Sequence, residues 1–410
     1  MTSMESDAPS GLDSGSKEFP WRLPALVLLG IRLLTLAALP FEALVGYGDY
    51  RHFYNLAQMA VEGGGGLPFI GHWVEFPPIF PFLSVVIYRL CAGRFHTYAS
   101  ALAVLMLVFD LGNLWIFTRL ARRHLSESQA KLAVWLYLGF LVVPAFGWWT
   151  FEPMAVFWML LTLLAISERK PMWAGVAAGL GFLTKLFPIL SLAVAWAFRP
   201  WRRALVATAV AVGIVAIVLG SLFLASPEMT GASLGSQFSK GSWETVWALV
   251  DGNLKTGLLG SLEERADPML AFQPRGQPAV VPHWIPTLVA AAAVFLAIWC
   301  VRRRSDQEIM CFLTFLFCVM LLWSRGWSPQ WLAHLIPLLL LTFSVQRALY
   351  LGFGLALVAL LEWPVLLSRN RFDLLWLPVV LRTFLLLVIA IEAGRMIFVR
   401  RLARSPGEVR

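Results

Sequence analysis

The run Gly46-Tyr47-Gly48-Asp49-Tyr50-Arg51-His52-Phe53-Tyr54 gathers one carboxylate, an arginine, a histidine and three tyrosines. Groups of these types exchange protons or hydrogen-bond a sugar. Asp49 lies just past an apolar segment, where burial would raise its pKa and Arg51 would lower it; the residue types allow a proton acceptor or an ordinary surface charge. Further on, the glycines at 63–66 mark a flexible bend, with no Lys-Ser or Lys-Thr after them to complete a nucleotide cradle. In His72-Trp73-Val74-Glu75-Phe76-Pro77-Pro78, Glu75 is either a second acid or a cap for the helix that the prolines begin.

Three other stretches and four isolated positions carry groups of the same kind. Glu152 follows Phe146-Gly147-Trp148-Trp149-Thr150-Phe151 and precedes Pro153, as a second acid or a carboxylate favoured at a helix N-terminus. The turn Ser324-Arg325-Gly326-Trp327-Ser328-Pro329-Gln330-Trp331 combines a cation, an amide and two indoles, with His334 one helical turn beyond Gln330. Its tryptophans also suit an interfacial belt. Gly241-Ser242-Trp243-Glu244-Thr245-Val246-Trp247 offers aromatic faces for stacking on sugars, or an amphipathic surface helix. Lys185, Asp110, Arg382 and Glu362 fall within apolar segments, where charge is costly and marks function by default. Arg32 and Arg382 are candidate pairing partners for the buried acids, and Glu362 is placed to snorkel.

The elements that must position these groups are membrane helices. Of 410 residues 59% are apolar and 14% charged, a balance that needs lipid as solvent. Apolar runs long enough for a ~30 Å hydrocarbon layer recur, and in lipid they must be helical. Lys and Arg clusters set the topology, since they collect in cytoplasmic loops. They are Lys17/Arg22, Arg119/Arg122/Arg123/Lys131, Arg169/Lys170, Arg199/Arg202/Arg203, Arg302/Arg303/Arg304, Arg347 and Arg395/Arg400/Arg401/Arg404. About twelve spans follow: 23–45, 97–119, 131–149, 153–168, 171–184, 186–199, 203–225, 284–301, 308–323, 331–345, 348–368 and 374–398. Both ends are then cytoplasmic. The net charge of +9 is accounted for by these anchors and calls for no nucleic-acid partner.

The expected organisation is a polar tail at 1–22 that is not a cleaved signal, a single transmembrane domain at 23–402 and a second tail at 403–410. Two long extracytoplasmic loops, 46–96 and 226–283, are too long for mere connectors. The apolar stretch 77–90 is read as a helix on the membrane surface, because a span there would drive the Arg119 cluster outside. The segment 171–198 has basic groups at both ends, so it divides into two half-length helices meeting near Lys185 and Pro188. That leaves the lysine at a cavity, where a cation can meet a lipid phosphate. The four cysteines have no metal-type spacing.

Taken together, Gly48-Asp49-Tyr50 with Tyr54, Glu75-Phe76-Pro77-Pro78, Leu183-Thr184-Lys185-Leu186-Phe187-Pro188, and Ser328-Pro329-Gln330-Trp331 leading to Pro337 resemble the C superfamily of glycosyltransferases. These are polyprenol-phosphate-sugar-dependent membrane enzymes, and the likeness is in particular to the family 87 and GPI-type mannosyltransferases, over most of the chain. The resemblance implies an all-α fold whose first outer loop forms juxtamembrane helices over a cavity, with its acid, here Asp49, as the catalytic base. Inversion at the anomeric carbon needs only that one carboxylate. Lys185, Arg325, His334, Arg51 and His52 become candidates for the donor phosphate, and Tyr50, Tyr54, Glu75, Glu152, Gln330 and Trp243 for acceptor or sugar.

The expected partners are a polyprenyl-phosphate sugar, a glycolipid or glycan acceptor and the bilayer, with no cofactor. A single acid stands where relatives carry an Asp-x-Asp pair, which leaves a divalent metal without its usual ligands. The reaction expected is transfer of a hexose, mannose by the likeness, and the lack of eukaryotic retrieval signals points to a bacterial inner membrane. A secondary transporter or lipid flippase would also use broken helices and intramembrane charges, but the halves show no internal repeat. A polysaccharide polymerase or ligase would share the donor.

Overall fold

The computed structural model describes residues 21–46, 48–64, 66–143, 148–254, 260–301 and 308–402. Nearly all of the N-terminal tail, the C-terminal tail, Tyr47, Phe146, Gly147 and the Arg302/Arg303/Arg304 cluster lie outside them. The described chain is helical, joined by turns and three isolated bridges.

The first expected span is two helices. α1 (Arg22–Ala38) stops where Leu39 turns extended ahead of Pro40, and a short α2 (Phe41–Val45) follows. The proline ring disfavours helical backbone at the residue before it. In the first long loop come α3 (Tyr50–Val61) and α4 (Ile79–Leu90). At twelve residues α4 is about 18 Å long, too short for the ~30 Å core. Its inner face packs with α3 on Trp148, Trp149 and Phe151.

α5 (Phe95–His124) is followed by α6 (Glu127–Val142), which opens on a Ser126/Gln129 capping box. α7 (Glu152–Ser167) and α8 (Pro171–Thr184) come next. The expected break follows: Lys185 is extended, a 3-10 turn covers Phe187–Ser191, and α9 (Leu192–Phe198) finishes the segment. α10 (Trp201–Ala225) lies so close on α8 that a Cβ on Gly175 would stand 2.5 Å from the Ala207 carbonyl oxygen. The second long loop holds α11 (Pro227–Ser239) and α12 (Val246–Asp251). The bundle closes with α13 (Trp284–Val301), α14 (Ile309–Trp323), α15 (Leu332–Thr342), α16 (Val345–Leu360) and α17 (Trp376–Leu402). A π-helical stretch around Pro364 continues α16.

Among the described residues five helices are long and apolar enough to cross a membrane alone: Phe95–His124, Trp201–Ala225, Trp284–Val301, Val345–Arg369 and Phe372–Phe398. The remaining expected spans are shorter or interrupted, and the architecture is all-α and polytopic. The membrane charges are paired inside the bundle. Arg32 meets Asp110 at 3.3 Å and stacks on Trp148, joining α1 to α5. Arg382 binds Glu362, whose carboxylate also accepts from the Trp327 indole at 3.2 Å. Glu362 is fully buried and does not snorkel, because both donors lie inside the bundle.

The second long loop is not a surface helix with idle tryptophans. The Trp247 indole donates to the Leu322 carbonyl at 3.0 Å, and the Trp243 ring packs so tightly on Gly326 that no Cβ fits there. Toward the first loop, Trp73 N–H donates to the Arg265 carbonyl at 3.0 Å and Val74 N–H to Ser233 Oγ at 3.1 Å. Arg265 forks onto both oxygens of Glu75, with both side chains buried. Removing one partner strands a buried charge, a loss of about 3–5 kcal/mol. Arg265→Leu is therefore expected to speed hydrogen exchange in 66–78 and 227–251 while leaving α14 protected. Unchanged exchange in those segments would mean that the pair does not hold the loops together.

Candidate active site

Asp49 stands one residue before α3, with its backbone N–H on the Trp149 carbonyl at 3.0 Å. Its side chain does not cap the helix, which leaves the carboxylate to face the bundle. Gly48 makes this possible, since a Cβ there would lie 2.2 Å from the Trp149 oxygen. Gly48→Ala must push the backbone off Trp149 and carry Asp49 with it. A misplacement of about 1 Å costs on the order of 10²-fold in rate. Glycosyl transfer by Gly48→Ala is expected to fall that far with the helical circular dichroism unchanged; full activity would show that the seating does not matter.

A second carboxylate lies across from the first. Glu152 begins α7, its N–H on Thr150 Oγ1 at 3.2 Å, and it is 1% exposed. It pairs with Lys185, delivered to this spot by the break after α8. The ammonium sits in an aromatic cage, 5.2, 5.4 and 5.7 Å from the ring centres of Phe151, Phe187 and Trp331. Such faces attract a cation where water is scarce. His334 closes the group, fully buried and stacked on Phe317, with Nδ1 3.5 Å from the other Glu152 oxygen, beyond a normal hydrogen bond. The turn before α15 borders both halves: Gln330 Nε2 stands 3.5 Å from an Asp49 oxygen, likewise a long contact, and the next residue, Trp331, forms part of the lysine's cage.

On its loop side the cluster is bounded by His52, whose Nε2 lies 2.9 Å from Glu75 Oε1. Burial works against the charge of Glu75, but Arg265 and His52 outweigh it and hold the carboxylate well below its usual range. Asp49 goes the other way. Dense packing pushes its pKa up, Glu75 adds to this, and His52, Lys185 and Lys240 only partly offset it. One acid is thus a fixed anion and the other is poised to take up a proton.

The structure brings Asp49, His52, Glu75, Glu152, Lys185, Gln330 and His334 together. Other expected site residues have different work. Tyr50 is fully buried with its hydroxyl on the Trp148 carbonyl at 2.6 Å, leaving no surface for a sugar. Tyr54 donates to the Gly93 carbonyl at 2.7 Å, and Arg51 lies over the Phe95 ring at 3.3 Å on the outer side of α3. Arg325 is held by Asp251 at 3.2 Å and the Val281 carbonyl at 2.5 Å. Trp243 reaches the cluster indirectly, as the platform under Lys240, 4.9 Å from its ring centre.

Lys240 is a cation that the motifs did not single out. It has no carboxylate at ion-pair distance among the described residues, and burial lowers its pKa against the pull of Glu75 and Asp49. Glu244 was also missed. It is 4% exposed with a left-handed backbone, φ 52°, and its Oε2 has no hydrogen-bond partner among the described residues. Burial, then Glu362, push its pKa well above the usual carboxylate range. Both residues flank Trp243, and the run around that indole was the one available signal.

A carboxylate able to accept a proton, a caged cation and an adjoining amide make a site for acid–base chemistry on an anionic substrate. Among solved structures the chain is similar to the oligosaccharyltransferase of Archaeoglobus fulgidus in its apo form. The identity is 13%, coverage is 93% of this chain and 57% of that one, and the TM-score is 0.46. The same enzyme tethered through a disulfide bond to an acceptor peptide containing the NVT sequon gives 13% identity, 96% and 56% coverage, and a TM-score of 0.41. The chain thus spans little more than half of that enzyme's length. No curated protein matches it by sequence. The family model for glycosyltransferase family 87 matches residues 73–324, so Glu75, Glu152, Lys185 and Arg265 fall inside the match, with Asp49 before it and Gln330 and His334 after it. That match takes in more than half of the 410 residues, and the chain belongs to glycosyltransferase family 87.

Proposed function

We propose that this membrane glycosyltransferase moves a hexose, mannose by the motif likeness, from a polyprenyl-phosphate sugar to a lipid or polysaccharide acceptor, with inversion. The observation that carries this reading is the pairing, through Gln330 and Trp331, of a proton-accepting Asp49 with a lysine caged at a helix break. In the reaction, an acceptor hydroxyl gives its proton to the Asp49 carboxylate as its oxygen attacks the anomeric carbon. The bond from that carbon to the phosphate oxygen breaks on the opposite side, and the electron pair leaves with polyprenyl phosphate. Lys185 meets the charge that develops on the phosphate, and Lys240 adds positive potential from the loop side. The loop face would be extracytoplasmic by the charge rule, and the membrane a bacterial inner membrane. A prenyl tail can then stay in the bilayer while its sugar reaches Asp49.

The test is donor choice. Protein in liposomes is supplied with radiolabelled polyprenyl-phosphate mannose, polyprenyl-phosphate glucose or GDP-mannose, together with a crude lipid acceptor extract. Transfer from the first alone is expected. Transfer from GDP-mannose would refute the lipid-phosphate donor, and transfer from the glucosyl lipid alone would refute mannose.

A further inference from the structure

At the end of the bundle away from Asp49, two basic turns meet over a shallow, open cavity lined by Ile166, Arg169, Lys170, Arg199, Arg203 and Ala207 among others. Its position relative to the active-site cluster follows from α7. Glu152 begins that helix beside Lys185 and the cavity lies at its other end, so sixteen residues, roughly 24 Å, separate them. The cavity is therefore not part of the site described above.

Several observations indicate what it holds. The Arg169 and Arg203 side chains are exposed and have no ion-pair or hydrogen-bond partner among the described residues, while the Arg199 guanidinium donates to the Ile166 carbonyl at 3.0 Å and is held in place. The nearby carboxylate, Glu168, is already shared by Lys170 at 2.6 Å and Arg119 at 3.7 Å, so the cavity keeps a surplus of positive charge. The floor is apolar: Ile166, Ala174, Ala195 and Ala207. Trp173, Trp196 and Trp201 stand exposed around the same level, as indoles do at the boundary between hydrocarbon and headgroups. α10, which forms one wall, has only four buried residues, and Leu205, Val206, Val212 and Ile217 lie exposed along its outer side. Finally, Arg169 closes the end of α7 with φ 59°, a conformation that favours glycine, and Lys170 N–H returns to the Ala165 carbonyl at 2.8 Å. An arginine stands where glycine would fit the backbone better.

We infer that this cavity binds the phosphate headgroup of an anionic membrane phospholipid, with Arg169 and Arg203 as its free cations, Arg199 as the fixed one and the acyl chains lying along α10. The inference is independent of the role given to Asp49.

Full-length protein, stripped of lipid in detergent, tests it by thermal unfolding and native mass spectrometry with phosphatidylglycerol, phosphatidylcholine or inorganic phosphate. Phosphatidylglycerol is expected to raise Tm and remain bound, and the other two to do neither. Arg169→Gly/Arg203→Gln, which relaxes the turn and keeps the fold, should bind phosphatidylglycerol about 30-fold more weakly, the effect of two surface cations on an anionic lipid. Arg89→Gln/Arg94→Gln, on exposed arginines of the first loop, should bind it as the parent does. Equal effects of the two phospholipids, equal protection by inorganic phosphate, full binding by the cavity variant, or an equal loss in the control pair would each overturn the assignment.

Discussion

Asp49→Asn is expected to lower kcat for glycosyl transfer by about 10²–10⁴-fold, the usual contribution of a positioned general base. The loss will not come from unfolding. Packing raises the folded pKa of Asp49 above that of an exposed aspartate, so the folded state favours the protonated form. Its ionisation costs stability at any pH above the unfolded pKa, and the neutral amide should melt no lower than the parent at pH 7. The same shift sets the pH profile. A base works deprotonated, so kcat/KM of the parent should fall as the pH drops through the raised pKa, at a higher pH than a free aspartate would give. Undiminished transfer by Asp49→Asn, or an acid limb that survives in that variant at full rate, would remove Asp49 from the mechanism.

The second large effect is expected at Lys185. Lys185→Met leaves Glu152, 1% exposed, without its cation. An unpaired buried charge costs about 3–5 kcal/mol, seen as a drop in Tm. It also removes a cation proposed to meet the leaving phosphate, worth on the order of 10²–10³-fold in kcat. The two effects separate in Lys185→Met/Glu152→Leu, where no charge is stranded: Tm should recover and kcat should not. Recovery of both would make the lysine a structural partner of Glu152 and nothing more.

How much of this was legible in the sequence varies with the range of the interaction. Membrane helices follow from composition, and the Lys185 break follows from basic residues at both ends of one apolar segment together with Pro188. Membership of a glycosyltransferase family sets aside the transporter and flippase readings, which rested on the same broken helices. Roles that depend on distant partners were hidden. Arg325 stands beside two tryptophans in the chain, yet its guanidinium is taken by Asp251, 74 residues away, and Glu75 finds Arg265 at a separation of 190. Tyr50 was readable in principle. Tyr50, Phe53 and Ala57 repeat at helical spacing and all are buried, whereas Arg51 falls on the opposite face of α3. The density of polar groups in that run concealed the periodicity.

The link between Asp49 and Gln330 also has a consequence in time. The chain is made from its N-terminus, and these two residues are 281 positions apart. Asp49 emerges at once, its Trp149 seat a hundred residues later, its lysine later still, and the Gln330–His334 turn only after α14 is in the bilayer. Contacts of such separation form late in folding. For most of its synthesis the chain therefore has Asp49 in the membrane region but not yet the lysine and the amide that complete the cluster. The cluster is incomplete until the last few helices insert, and a chain that stalls before α15 lacks both Gln330 and His334.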